Sequence, residues 1–348
     1  MSILRKVHHA IRQIIFGDTL LPQVITLSFV EPQSEIAVWL HGLREPIDVT
    51  QRLSMACAAP LSICIAFAEN PALRTQKSAH LALRFSERGG RQMDLGEIEL
   101  KPAGSISLDG SELAIFQARS SNNYCLPRAQ LLAHNLLRVY KNRQCTDASS
   151  IRMTPGGIRA MAVLSIRPYP VALASHDHAG GNIFPLNLMG DMGNGLFAFS
   201  LVDSRNAALG VERAARVALS SIPIAQSAYA FQLGSNHFRQ LIEWDRLPFE
   251  TKASEIFRIP VPAFAQRVRE LEVVRSQALG SHRLFVARIV SDQELKACEN
   301  LHFIDGIYQA WRMKGRAAEL NAALAADSLN KRGVPTSRFA AVQREYRS

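Results

Sequence analysis

The sequence predicts a mainly β protein built from more than one domain. With 348 residues, of which 47% are hydrophobic and 20% charged, the chain is long enough for two domains and a full-sized core. Short runs rich in β-branched and aromatic residues alternate with turn signals such as Asp109-Gly110. Few helical segments intervene, and strands spaced in this way favour antiparallel sheets over a parallel sheet.

Residues 1–145 are predicted to form a β-rich N-terminal domain of unknown role. An amphipathic helix is expected over residues 3–14, and strands over 24–30, 35–40, 61–67, 81–85, 97–100 and 113–117. A helix over 127–141 follows, because Pro127 suits a first helical turn and an apolar stripe that includes Leu132 and Leu136 repeats at helical spacing. The polar segment 142–155 is the predicted linker, and no internal repeat is visible.

Residues 156–312 are predicted to form a second β-rich domain. Strands are expected near 160–166, 171–175, 196–202, 217–222, 267–276 and 283–291. Short helices are expected over 207–215, with Asn206 as the N-cap, and over 226–233. Residues 248–262 are expected to form a loop, and residues 313–348 an alanine-rich helix over 316–329 followed by a basic tail.

Charge and cysteine content limit the classes of partner. The formal net charge is +10, but the basic residues are spread thinly and no nucleic-acid motif is present, so anion pockets are expected rather than a nucleic-acid surface. The five cysteines are scattered without a Cys-x-x-Cys pair, which favours a reducing, cytoplasmic setting. No apolar run reaches the ~18 residues of a membrane span. His176-Asp177-His178 lacks a converging further ligand, so no metal site is expected.

The segment 167–199 is the most informative about function. A Gly-Gly turn and an Asn-x-x-Pro-x-Asn stretch, from Asn182 through Pro185 to Asn187, lie between two apolar strands. Side-chain amides offer donors and acceptors together, so they suit the mixed polar edge of a flat heterocycle, and Ser175 adds a hydroxyl. The alternative is that both asparagines only bond the backbone of their own turn.

A second pattern suits a phosphate group. Ser204, Arg205 and Asn206 supply a hydroxyl, a forked guanidinium and an N-cap just before a predicted helix. The exposed N–H groups and the dipole of such a helix favour a dianion at its N-terminus. The alternative is a capped surface helix whose arginine is solvated.

Three blocks within residues 170–311 resemble the flavin reductase-like family, the FMN-binding split barrels. The first is PVALAS followed by GGN-x-x-P-x-N (170–187), the second is LFAFSLVDSRNAALGVERAARVALSS (196–221), and the third joins GSHRLFVARIV (280–290) to LHFIDGIYQAW (301–311). The resemblance covers about 155 residues, and Ala287 and Asn206 depart from the glycine and threonine common in the family. It implies an FMN-binding split β-barrel with short helices over 156–312, preceded by the separate β-rich N-terminal domain.

The resemblance also implies a site and its ligands. FMN and NAD(P)H are the expected small molecules, a homodimer is the expected assembly, and the N-terminal domain is a candidate surface for a protein partner. His282 is either near the cofactor or a structural hydrogen-bonding residue at a strand start, and His237 and Arg239 are further candidates at the open face of the ring. The expected cofactor-binding residues are Ser175, Asn182, Pro185, Leu186, Asn187, Ser204, Arg205, Asn206 and His282.

Two functions stay open on this basis. The first is an FMN-dependent oxidoreductase of the flavin reductase type, which passes hydride from NADH or NADPH to flavin and electrons onward. The second is a non-catalytic flavin-binding module that acts in redox sensing or partner recruitment. No Gly-x-Gly-x-x-Gly turn follows a strand, so a Rossmann dinucleotide domain is not indicated.

Overall fold

The structure, a computed structural model, describes residues 25–29, 35–68, 80–88, 93–144, 151–296, 300–304 and 324–326. This part of the chain is mainly β, as predicted, and its strands pair antiparallel in two seven-stranded sheets, one four-stranded sheet and one two-stranded sheet. None of its helices is long and apolar enough to cross a membrane. The helix predicted over 3–14 and most of the segment 313–348 lie outside the described residues.

After β1 (Ile25–Phe29), the first seven-stranded sheet contains β2 (Ile36–His41), β3 (Ile47–Asp48), β4 (Leu53–Ala58), β5 (Leu61–Ala68), β6 (Leu81–Glu87), β7 (Asp94–Leu108) and β8 (Ser111–Asn123). Its strand order is β3-β2-β6-β7-β8-β5-β4. Asp109 and Gly110 form the turn of the β7–β8 hairpin with φ of 50° and 71°, the left-handed values that favour an Asp-Gly pair. Strand β4 was not predicted, because its LSMACA run is buried throughout and shows no polar–apolar alternation.

Two helices follow the first sheet, α1 (Arg128–Gln144) and α2 (Pro155–Leu164). The strand predicted near 160–166 is wrong, because Thr154 accepts a hydrogen bond from the Gly157 N–H and caps a helix whose first turn contains proline. Although α2 lies in the predicted second domain, its apolar side packs in the core of the first sheet. The predicted apolar stripe of α1 is wrong at Leu132 and Leu136, which are 62% and 61% exposed.

The second seven-stranded sheet follows β9 (Tyr169–Pro170) and has the order β11-β10-β14-β17-β18-β13-β12. Its strands are β10 (Ala172–His176), β11 (Asn182–Leu186), β12 (Met189–Gly193), β13 (Leu196–Val202), β14 (Arg216–Ser221), β17 (Arg267–Leu279) and β18 (His282–Glu294). The helices α3 (Asn206–Ala214) and α4 (Ser227–Gln232) lie between these strands in sequence. Phe199 and Phe285 stack in the core of this sheet with ring centroids 5.1 Å apart.

The remaining strands form two small sheets. Strands β15 (Thr251–Ala253) and β16 (Pro260–Pro262) pair inside the predicted loop 248–262. The four-stranded sheet combines β1 and β9 with β19 (Asn300–Ile304) and β20 (Leu324–Ala326). Because β20 is a strand, the helix predicted over 316–329 is wrong at residues 324–326, and its other residues lie outside the described part of the chain.

The two seven-stranded sheets have the same topology. The seven strands of the first sheet, taken in sequence order from β2 to β8, correspond to β10, β11, β12, β13, β14, β17 and β18. With this correspondence, the order of the strands across the first sheet is the same as the order across the second. The pairings β4–β5 and β12–β13 each contain one bulge, and β7–β8 and β17–β18 each contain two. No repeat is visible in the sequence, yet the fold is duplicated, because a pairing order can recur without recurring residue types.

The two sheets pack against each other along a shared apolar core, which we call the seam. Strand β4 lies against β12, β13 and β18. Gly190 allows a close approach, because a Cβ there would lie 2.7 Å from the Leu53 carbonyl oxygen. The seam buries Ala56, Cys64, Ala66, Ile106, Leu113 and Ile115 of the first sheet against Met192, Leu196, Ala198, Leu284 and Val286 of the second.

Gly210 is the contact point between α3 and the end of β10. A Cβ at this position would lie 2.5 Å from Nε2 of His176, whose side chain is 1% exposed. Gly210→Ala is therefore expected to lower the free energy of unfolding by about 1–3 kcal/mol, because overpacking outweighs the ~1 kcal/mol that alanine gains inside a helix. The midpoint of urea unfolding measures this change.

Gly156→Ala in α2 is the matched control for that prediction. Its new Cβ would meet nothing closer than Thr154 Oγ1 at 4.0 Å. We expect this variant to be at least as stable as the parent. Equal unfolding midpoints for the two variants would show that the contact between α3 and His176 is not tight.

Candidate functional site

Arg205 is the centre of the candidate site, at the N-terminus of α3. It is the N-cap, with extended φ and ψ of −99° and 148°, and its own side chain makes no capping hydrogen bond. Asn206, predicted as the N-cap, is instead the first helical residue, and its amide donates to the Phe238 carbonyl oxygen at 2.7 Å. The side chain of the N-cap residue therefore supplies no acceptor to the first N–H groups of α3, where the positive end of the helix dipole lies.

The guanidinium of Arg205 lies over the ring of Phe238, with its central carbon 4.7 Å from the ring centroid. Partial burial lowers the pKa of Arg205, although an arginine stays charged in proteins. Its charge also helps to lower the pKa of both His237 and His282. Val202, just before Arg205 in the chain, pairs with His282, and His237 directly precedes Phe238, so a guanidinium and two imidazoles from three segments lie at this end of α3.

His282 begins β18 at the seam and is 2% exposed. Its Nδ1 accepts a hydrogen bond from the Ala58 N–H at 3.3 Å and lies 2.9 Å from Ser281 Oγ. A backbone N–H can only donate, so Nδ1 is an acceptor and the neutral ring carries its proton on Nε2. Burial first, and then the charge of Arg205, lower the pKa of His282 to about 4. The ring is therefore a neutral Nε2–H donor at pH 7.

His237 lies in the 3₁₀ segment Leu233–Phe238 that follows α4. Its Nε2 is 2.9 Å from the carbonyl oxygen of Pro185, so this nitrogen donates and carries the proton. Burial first, and then the charge of Arg205, lower the pKa of His237 to about 4. Its Nδ1 is a buried acceptor that has no hydrogen-bond partner among the described residues.

Asn182 fastens the segment 236–239 to the edge strand β11. Its Nδ2 donates to the carbonyl oxygens of Asn236 and Arg239, both at 2.9 Å, and Asn236 Nδ2 donates to the Ile183 carbonyl at 2.8 Å. Asn182 is 0% exposed, and its Oδ1 is unpartnered within the described part of the chain. The same is true of Oγ of Ser175 on the neighbouring strand β10. Asn182 pairs with His176 and Ser175 pairs with Ile183, so these two buried atoms lie on opposite faces of the sheet.

The other predicted residues differ in exposure. Leu186 is buried in the core of the second sheet, and Pro185 offers its carbonyl oxygen to His237. Asn187 is partly buried just after β11, and Ser204 is exposed just before Arg205. The structure therefore places Leu186 as a packing residue and Pro185 as an acceptor for His237, and it leaves Asn187 partly buried and Ser204 exposed to solvent.

The segment 236–239 connects the predicted residues of β11 with those of α3. It bonds Asn182 on one side and, through the Phe238 carbonyl, Asn206 on the other. Sequence reasoning named His237 and Arg239 only as further candidates and did not name Phe238. The Gly-Ser-Asn turn before His237 was a usable signal, whereas a pairing with residues more than 50 positions away was not.

A cleft of about 560 Å³ lies at the other end of α3. Its arginine Arg216 pairs with Asp177 at 2.7 Å and lies over the Phe257 ring. The helix N-terminus at Arg205, and the buried Asn182 Oδ1 and His237 Nδ1 that lack partners among the described residues, favour the other end of α3 as the candidate site. Within the described residues, no three His, Cys, Asp or Glu side chains are grouped as a metal ion would require. The cleft contains none of the nine predicted residues; it is lined by Asp177, His178, Ala179, Arg213, Ala214, Ala215, Arg216, Phe257 and Glu272.

Comparison with known proteins gives partial similarities of fold. The sequence matches no protein-family model and no curated protein. Part of the chain is similar to an FMN-binding protein from Thermus thermophilus with bound 1-cyclohex-2-enone, at 24% identity, 37% coverage of this chain, 71% coverage of that chain and a TM-score of 0.33.

Two reductases are similar over a comparable part. The NADH:FAD oxidoreductase of Streptomyces globisporus C-1027 has 15% identity, with 43% of this chain and 89% of that chain covered and a TM-score of 0.38. The styrene monooxygenase flavin reductase of Pseudomonas putida S12 has 13% identity, with 49% and 99% covered and a TM-score of 0.35. These proteins are of the class that the sequence resemblance indicated. At such TM-scores, no ligand or reaction follows from them for this chain.

Proposed function

We propose that the chain binds FMN and acts as a flavin reductase-type oxidoreductase, which passes hydride from NAD(P)H to flavin and electrons onward. One observation carries this proposal: Arg205 stands at a helix N-terminus that its own side chain does not cap, beside the neutral imidazoles of His237 and His282. A helix N-terminus with an adjacent guanidinium suits a phosphate dianion. The resemblance of the sequence to flavin reductase-like proteins supports FMN as the phosphate compound.

The residues around Arg205 fit the phosphate of FMN. Arg205 would supply charge and forked donors, and the exposed Ser204 would supply a hydroxyl. The Nε2–H of His282 would add a donor that stays neutral at physiological pH. The side chain of Asn206 is already used on the Phe238 carbonyl, so Asn206 would contribute its backbone N–H.

Strands β10 and β11 fit the polar edge of a flavin ring. Oδ1 of Asn182 and Oγ of Ser175 are buried without partners among the described residues. An unpaired buried polar group costs about 1–3 kcal/mol, so a ligand that pairs with Asn182 Oδ1 gains by doing so. Ser175 pairs with Ile183 rather than with Asn182, so its hydroxyl lies on the other face of the sheet and is not part of this contact. Of the other predicted residues nearby, Asn187, just after β11, would add a partly buried amide, whereas Leu186 packs in the core. FMN, when bound, supplies the hydride chemistry, and the protein holds and orients it.

The direct test is to purify the protein and to identify any bound small molecule by mass spectrometry after heat release. We expect FMN, together with absorption in the flavin bands. Anaerobic addition of NADH or NADPH should then bleach the protein. A colourless protein that takes up no added FMN would contradict flavin binding altogether.

A non-catalytic flavin-binding module is the second candidate function. It is favoured by the surface of α1, where Leu132, Leu136 and Tyr140 are spaced one helical turn apart and are 62%, 61% and 58% exposed. Such a face on the first half of the chain suits a protein partner. A yellow protein that stays oxidised in the presence of both nicotinamide nucleotides would favour this module over the oxidoreductase.

Three expectations from the sequence stay predictions. They are the cytoplasmic location, the boundaries of the domains and the homodimer that the resemblance implies. The homodimer follows from the resemblance only, and the duplicated fold bears on it directly.

A further inference from the structure

The contact between a long hairpin and a short hairpin occurs twice at the seam, with the roles of the two sheets exchanged. The β17–β18 turn meets the β4–β5 turn, where the Ser281 N–H donates to the Ala59 carbonyl at 2.9 Å and the Ala59 N–H donates to Ser281 Oγ at 3.1 Å. The topologically equivalent β7–β8 hairpin meets the β12–β13 turn, where Asn194 Nδ2 donates to Ser111 Oγ at 2.9 Å. Each long hairpin therefore touches the short hairpin of the other sheet.

This reciprocity is the pattern of a two-fold interface between two copies of one fold. In such an interface, when one element of the first copy contacts a different element of the second copy, the same two elements also meet with the copies exchanged. The equivalence extends to single positions, because His282 and Ser111 each begin the second strand of a long hairpin after a two-residue turn. Both are buried polar residues that bond the opposite sheet.

We propose that the first sheet is a built-in partner of the second sheet, in the place of a second subunit, and that its β4–β5 turn positions His282 for the site at Arg205. The built-in partner rests on the fold alone. The positioning of His282 for a ligand rests also on the proposed function.

The β4–β5 turn acts on His282 through hydrogen bonds that select one tautomer. The Ala58 N–H donates to Nδ1 directly. The Ala59 N–H donates to Ser281 Oγ, so the hydroxyl proton of Ser281 points either at the same Nδ1, 2.9 Å away, or at Cys57 Sγ, 3.5 Å away, and the bond to Nδ1 is the shorter one. Both bonds require Nδ1 to be unprotonated, and they leave the proton on Nε2. Ala58 and Ala59 are positioning residues in this sense.

The two halves are unequal in chemistry. At the position equivalent to His282, the first sheet has Ser111, which bonds the amide of Asn194 and has no ring nitrogen to offer a ligand. The first sheet is therefore expected to serve as partner only. One site per chain follows, rather than the two that an equal duplication would provide.

The first test measures particle mass and flavin stoichiometry on the full chain. Light scattering should give the 38.5 kDa of a single chain, and FMN titration should give one flavin per chain. A particle of two chains whose dissociation abolishes FMN binding would overturn the built-in partner. Two flavins per chain would overturn the unequal duplication.

The second test uses a matched pair of glycine variants. At Gly280, with φ of 58°, a new Cβ would lie 2.4 Å from the Ala59 carbonyl oxygen, whereas at Gly110, with φ of 71°, it would meet nothing within 4 Å. Alanine suffers left-handed strain at both positions, but only Gly280→Ala pushes the β4–β5 turn away from His282. Ser281→Ala is a milder variant that removes one bond to Nδ1, in case Gly280→Ala does not fold.

The readout is the tautomer of His282, observed by ¹⁵N NMR of histidine-labelled protein, together with FMN affinity. The parent and Gly110→Ala should show the Nε2–H form. Gly280→Ala or Ser281→Ala should show a mixture, with FMN binding weaker by about tenfold, the factor expected for one hydrogen bond. An unchanged tautomer in Gly280→Ala and Ser281→Ala would overturn the positioning role. A parent protein that binds no FMN would refute the proposed function. The particle mass and the tautomer of His282 would still test the built-in partner in that case.

Discussion

FMN binding is expected to weaken by about 10- to 100-fold when Arg205 is replaced by alanine, because a hydrogen bond to a charged group is worth ~1.5–3 kcal/mol. The variant removes the only side chain that the proposal assigns both charge and forked donors at the phosphate. Arg205→Lys should lie between the parent and the alanine variant, since lysine keeps the charge but not the planar fork. Quenching of flavin fluorescence on titration measures the three affinities.

Arg213→Ala is the matched control for this prediction. Arg213 lies on the same helix, in its last turn, where it lines the cleft opposite the candidate site. Its loss should leave FMN affinity within about twofold of the parent, because its charge lies at the far end of the helix. Arg205→Ala also removes the contact with the Phe238 ring, and this contact is worth about 0.5–1 kcal/mol of unfolding free energy. Equal FMN affinities for the two variants would remove the phosphate site from Arg205.

Acid should destabilise the protein steeply, because several histidines are buried in their neutral form. His176 is 1% exposed, and burial, reinforced by the charge of His178, lowers its pKa from 6.5 to about 4. Between these two values the unfolded chain binds a proton at this position and the folded chain does not, so stability falls as the pH falls. The loss from His176 alone is about 3 kcal/mol, complete near pH 4 and absent above about pH 7. His282 should add a loss of the same sign in the same window, because its pKa is lowered to about 4 as well.

His176→Leu tests the assignment to this ring. Both ring nitrogens of His176 are buried without hydrogen-bond partners among the described residues, so an apolar side chain should cost little at pH 7. Unfolding free energies from urea titrations at pH 7 and pH 4 should differ by about 3 kcal/mol less in the variant than in the parent. If the parent and the variant lose the same free energy of unfolding between pH 7 and pH 4, His176 is protonated in the folded state at pH 4.

Local signals predicted much of the secondary structure. The strand expected over 196–202 coincides with β13, and the helix expected over 207–215 differs from α3 by one residue at each end. The same signals failed where one pattern fits two structures. The apolar run after Thr154 suits a buried strand and a buried helix alike, and the capping of Gly157 by Thr154 decided for the helix.

Only part of the candidate site could be predicted from the sequence, because local patterns place only residues that are neighbours in the chain. Arg205 could be placed at a helix N-terminus from the sequence, because the turn and the helical pattern are adjacent there. The hydrogen-bond partners of Asn182 could not be predicted, because its side-chain amide donates to carbonyl groups 54 and 57 positions away. The loop that carries Phe238 has no periodic pattern that would indicate which strand it covers.

The sequence by itself determined that this protein is mainly β, that its strands pair antiparallel, and that a basic helix terminus follows β13. These properties depend on alternation, turn residues and caps, which act between neighbours in the chain. The tertiary structure alone decided that two sheets of identical topology meet at a seam, and that Ala58 bonds His282 across 224 positions. Such contacts depend on which apolar faces are still unburied once each sheet has formed, and no local pattern of residues records that.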